Sequence, residues 1–93
     1  MARLLLCEVK YVRDQERLTQ FGRRLRQVRQ VRQAKGFTQE SLAAAAELEF
    51  SQVGRIERGV INTGLSTVFV LARTLQVDVR ELFDFSASGD QEV

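Results

Sequence analysis

Gln52 and Arg55 stand three residues apart in the stretch FSQVGRIERG, residues 50–59, and both end in forked groups that match the edges of nucleobases. A glutamine amide can satisfy the N7 acceptor and N6 donor of adenine together, and a guanidinium the O6 and N7 acceptors of guanine. Phe50 adds a ring suited to a thymine methyl, and Ser51 a hydroxyl that bonds donors or acceptors. At helical spacing Val53 and Ile56 turn inward, which leaves Phe50, Ser51, Gln52 and Arg55 on the N-terminal and outward faces. Each also has a plainer use: Ser51 as a cap, Arg55 paired with Glu47 or Glu49, Phe50 as an apolar flap. Catalysis has little to build with. The chain has no histidine, one cysteine, Cys7, and no glycine-rich phosphate loop, so neither a nucleophile with its base nor a metal centre is expected, and no cofactor.

A base-reading helix needs a mount. Residues 38–59 supply a helix from Gln39 to about Ala46, a break of about three residues, and a second helix from Phe50 to Arg58. Two helices joined by so short a turn can hold the second one out from the surface, where the major groove of B-DNA admits it. Thr38 serves as N-cap of the first, Gly59 ends the second, and Ala43 to Ala46 are small enough for close helix approach. Upstream, a longer helix is expected from an Asp14 N-cap to Lys35, with Gly36 as its left-handed C-terminal residue. Its apolar stripe is Leu18, Phe21, Leu25 and Val28, with Val31 at the drifting edge. Arg32 also projects near that stripe and needs a partner there.

The motif VRQ occurs twice in succession, at residues 28–30 and 31–33. Three inserted residues lengthen a helix by about 4.5 Å and rotate everything upstream by about 60°, so the register before the duplication is open. Downstream, a turn at Asn62-Thr63-Gly64 leads to a fourth helix with Leu65, Val68, Phe69, Ala72 and Leu75 as its core face. A short fifth helix follows near Val79–Phe83. The result is an all-α domain over residues 14–85, between an N-terminal extension, 1–13, and a polar tail, 86–93. Alternation of Leu5, Cys7, Val9 and Tyr11 against Glu8 and Lys10 fits a short strand. Such a strand would pair with another subunit's, pack irregularly on the helices, or stay disordered.

The net charge of 93 residues is +2, but residues 17–36 carry +7 and residues 37–93 carry −5. The asymmetry fits a basic face for a polyanion, or a solvated helix whose cations pair with the acidic remainder. A core this small is marginal alone, which favours a homodimer. LLLC at residues 4–7 is too short for a signal sequence, and no run approaches the ~20 apolar residues of a membrane span. A reducing, cytoplasmic location is expected.

Taken together, FGRRLRQ, AKGFTQESLA, VGRIERG and INTGLSTVFVLARTLQVDVRELF resemble the Xre-type helix-turn-helix regulators, the family of the phage lambda and 434 repressors, over about Leu18 to Phe83. The resemblance implies a five-helix domain that binds double-stranded operator DNA, usually as a two-fold dimer. It places Gln39 on a phosphate, a role that the helix N-terminus independently favours. It also makes Val53 and Ile56 the buried pair and matches Glu57 to an acid that pairs with a first-helix arginine. Counted back from Gly36, that arginine is Arg32. The DNA-contact set is then Thr38, Gln39, Phe50, Ser51, Gln52, Arg55 and Arg58, with Asn62 and Thr63 as a second phosphate clamp. Glu47 departs from the pattern by standing where a turn glycine is usual.

The function expected is a sequence-specific transcriptional regulator, a repressor reading a palindromic operator. The alternative is an antitoxin-like or adaptor module that binds a toxin-like protein, with weak or secondary DNA binding. Dimers would form through the fifth helix, where Val79, Phe83 and Phe85 leave apolar surface, or through the N-terminal segment.

Overall fold

The computed structural model describes residues 13–31 and 36–85. Its elements are α1 (Gln15–Val31), α2 (Gln39–Ala46), α3 (Phe50–Arg58), α4 (Leu65–Leu75) and a 3-10 helix, Val79–Phe83. The described residues form no strand, and the strand expected between residues 3 and 12 lies outside them, as does the polar tail. Where a fifth α-helix is expected there is one 3-10 turn, so the described α-helices number four. Asp78 caps that turn: its side chain accepts the Arg80 N–H at 2.9 Å and the Arg80 guanidinium at 3.2 Å. These bonds, the backbone one foremost, hold the Asp78 carboxyl below its ordinary range, because they favour the charged form.

Local chemistry sets the helix ends. The Asp14 carboxylate accepts the Arg17 N–H at 3.1 Å, and its carbonyl accepts from Leu18 at 3.0 Å, which makes Asp14 the N-cap of α1. At α2, Thr38 and Ser41 exchange bonds reciprocally: each hydroxyl accepts the other's backbone N–H at 2.9 Å. Gly59, at φ 73°, ends α3, and its carbonyl takes the side-chain amide of Gln15 at 2.7 Å.

The core sits where all four helices meet. Phe21, Leu25 and Val28 of α1 pack with Leu42, Ala43 and Ala46 of α2, Val53 and Ile56 of α3, and Leu82. From α4 the buried side chains are Val68, Leu71, Ala72 and Leu75. Two residues expected on that face are elsewhere, since Leu65 is 68% and Phe69 52% exposed. A stripe through 68, 71, 72 and 75 is one face of a 3.6-residue period, and it leaves 65 and 69 at its edge. Phe83 is also half exposed, with its ring 5.2 Å from that of Phe21 and 6.3 Å from that of Phe85.

Candidate nucleic-acid interface

The back of α3 is held by three devices. Val53 and Ile56 are buried in the core. Gly22 lets α1 lie directly on the end of α3: a Cβ there would stand 2.4 Å from the Glu57 carbonyl oxygen and 2.5 Å from that of Ile56. The third device is a buried ion pair. The Glu57 side chain, 4% exposed, takes Nε and Nη2 of Arg29 in a fork, the second contact at 3.0 Å. Its Oε1 also accepts the Gln39 amide at 2.8 Å. The remaining arginine nitrogen, Nη1, donates to the Phe37 carbonyl at 2.9 Å, so one guanidinium ties α1, α3 and the entry to α2 together.

This corrects the expected partner of Glu57, which was Arg32. The reason lies in the VRQ duplication. A helix closed by Gly36 in the Schellman manner would have the Phe37 N–H donate five residues back, to Arg32. It donates instead to the Arg29 carbonyl, eight residues back, at 2.7 Å. The excess of three residues equals one VRQ copy. The first copy's arginine therefore occupies the place that counting gives to the second. Arg32 itself lies outside the described residues.

Between α2 and α3 the chain turns through Glu47, which adopts φ 59° and ψ 43°. Its neighbour Leu48 closes the turn by donating to the Ala43 carbonyl at 2.8 Å. Glutamate thus stands in a left-handed position that costs an L-residue about 1 kcal/mol. Glu49 begins α3 as N-cap without a side-chain bond, and Ser51, within the helix, does not cap it.

The front of α3 is uncommitted. Phe50 is 56% exposed, Ser51, Arg55 and Arg58 are exposed, and Gln52 is half buried. Arg55 makes no ion pair with Glu47 or Glu49. Arg58 lies back along its own helix, its Nη1 3.2 Å from where a Cβ on Gly54 would be. Phe50 and Gln39 line one open depression together with Thr38, so three of the candidate contacts come together there. Gln39 and Thr38 are nonetheless engaged in the free chain, by Glu57 and Ser41 respectively. Asn62 and Thr63 are not part of that depression. They line a separate groove with Asp14, Arg17, Leu65, Phe83 and Phe85. Arg29 is the positioning side chain that sequence reasoning missed, and Arg26, which it did not place among the candidate contacts, also lines the depression by Phe50. The signals were the open register of α1 for Arg29 and, for Arg26, the acid-free basic segment 17–36.

Two helices in tandem, the second fixed from behind and polar in front, define a helix-turn-helix module of the DNA-binding kind. The chain belongs to the helix-turn-helix family of transcription regulators, whose family model matches residues 28–82. It is 32% identical over 72 residues to control protein C.BamHI of Bacillus amyloliquefaciens, a match covering 77% of this chain and 86% of that protein. Among solved structures it is similar to the restriction-modification controller protein C.AhdI of Aeromonas hydrophila, with 45% identity and a TM-score of 0.65. That match covers 71% of this chain and 96% of C.AhdI. None of the described helices is long and apolar enough to cross a membrane, and the described residues contain no group of His, Cys, Asp or Glu that could hold a metal ion.

Proposed function

We propose that this protein is a sequence-specific transcriptional repressor that reads a palindromic operator as a homodimer, with α3 of each subunit in the major groove. The observation that carries the reading is the division of α3 into a buried back and an outward face of unpaired base-matching groups. Gln52 and Arg55 read base edges, Phe50 meets a thymine methyl, and Ser51 and Arg58 bond the backbone or a base. Gln39 reaches a phosphate from the start of α2, with Thr38 shaping that approach, and Asn62 and Thr63 clamp a second phosphate. The two similar proteins, one a control protein and one a restriction-modification controller, favour genes of a restriction-modification system as the target. The exposed apolar side chains of Phe69 and Phe83 seat the second subunit. Half-sites would then lie about one helical turn of DNA apart.

Selection of bound duplexes from a random pool tests all of this together. The expected result is a two-fold symmetric site, and a promoter carrying that site should fall silent when the protein is supplied. Recovery of no preferred sequence, or of a site without symmetry, would overturn the operator reading. A small protein that co-purifies stoichiometrically and abolishes DNA retention would favour the toxin-binding alternative.

A further inference from the structure

Of the seven cations between residues 17 and 36, several are spent within the fold. Arg29 is buried against Glu57. Arg24 donates to the Glu81 carbonyl at 2.7 Å and lies 3.6 Å from its carboxylate. Arg17 bonds Gln20 at 2.8 Å and lines the apolar groove of Phe83 and Phe85. Arg26 is different. It is exposed, and its side chain forms no hydrogen bond or ion pair with any described residue. It also lines the same depression as Gln39 and Phe50.

That depression, about 690 Å³, is within the size range of small-molecule sites. Such sites are enclosed and mostly apolar, whereas this one is open to solvent and more polar than apolar in its lining. Its floor is the start of α2, where Ser41 and Leu42 amides are taken by Thr38. The amides of Gln39 and Glu40 remain unbonded among the described residues, the arrangement that attracts an anion at a helix start. Arg26 and Gln30 form the α1 wall and Phe50, the first residue of α3, the opposite one. A DNA strand whose bases meet α3 would continue across this mouth. One charge opposes it: Glu40 lies on the same rim and is not paired with Arg26.

We propose that Arg26 is a DNA-backbone contact, binding a phosphate outside the base pairs that α3 reads, with Glu40 setting a limit on its strength. The proposal rests on the operator reading above and adds to it a residue outside the helix-turn-helix. A phosphate contact carries no sequence information and releases a counterion, so its signature lies in salt dependence. Binding of the selected operator duplex would be measured over a range of salt concentrations. Relative to the unsubstituted protein, Arg26→Ala should lower the slope of log K against log salt by about 0.9 per half-site, with no change in base preference. Arg73→Ala, an exposed cation lining a different depression with Glu47, should leave the slope unchanged. Glu40→Gln should tighten binding of every duplex alike, and ethylation interference should lose one outer phosphate per half-site in Arg26→Ala.

An unchanged slope for Arg26→Ala in a protein that still selects its operator overturns this inference alone. A slope that falls equally for Arg73→Ala overturns it too, as does a change in base preference at Arg26. Failure of the unsubstituted protein to select any operator overturns the operator reading, and this inference with it.

Discussion

The two sides of α3 are built on opposite principles. At the back, Gly22, Val53, Ile56 and the Arg29–Glu57 pair leave no side chain free to move without disturbing a neighbour. At the front, Phe50, Ser51 and Arg55 are exposed, and Arg55 has no ion-pair partner among the described residues. A recognition helix needs this contrast: base contacts tolerate little misplacement, so rigidity belongs behind them, and groups already paired to the protein cannot bond a base. The buried pair is not by itself a source of stability, because desolvation of both charges offsets their attraction. Its effect is to fix the angle of α3 against α1.

Removing one partner of the pair should have the largest effect. Glu57→Ala leaves the Arg29 guanidinium buried without a counter-charge, and Arg29→Ala does the same to Glu57. Each should lower unfolding stability by about 3–5 kcal/mol in urea titrations. Because Arg29 holds Glu57, the same change at Arg32 should cost much less than at Arg29. A large loss at Arg32 with none at Arg29 would restore the register counted from Gly36.

Gly22→Ala comes next. The added methyl meets backbone oxygens that cannot swing aside, and forcing α1 off α3 should cost about 1–3 kcal/mol. Stability unchanged in thermal unfolding would mean that the crossing is looser than 2.4 Å implies. In the other direction, Glu47→Gly removes a left-handed L-residue at φ 59° and should gain about 1 kcal/mol. A loss there would show that Glu47 contributes something beyond the turn.

The front should respond least in stability and most in binding. Arg55→Ala is expected to move the unfolding free energy by no more than about 0.5 kcal/mol. It should nevertheless weaken the selected operator by about 1–3 kcal/mol in titrations with labelled duplex and relax selection at one base pair. Equal binding by the variant would remove Arg55 from the reading set.

Much of this was legible from the residues because the rules involved are local. Thr38 before an apolar run, Gly59 after one, and Val53 and Ile56 at helical spacing fix the ends and the inward side of α2 and α3 within a few residues of chain. The positive φ at Glu47 was legible only through the resemblance, which puts a turn glycine at that position. The apolar face of α4 was partly legible: Val68, Ala72 and Leu75 are buried as spaced, while Leu65 and Phe69 show how a stripe read too widely takes in edge residues. Grooves were not legible at all. Nothing in the order of residues says that Asn62 shares one with Phe83, or Arg26 one with Phe50.

By itself, then, the sequence determined α2 and α3, their bounding residues Thr38 and Gly59, and the inward side of α3, because each depends on contacts between near neighbours in the chain. Which arginine meets Glu57 was decided only in the tertiary structure. Two VRQ copies offer chemically identical candidates, and the choice turns on how segments 28 residues apart pack and where the chain recloses onto Arg29. Such a contact forms only once both helices are in place.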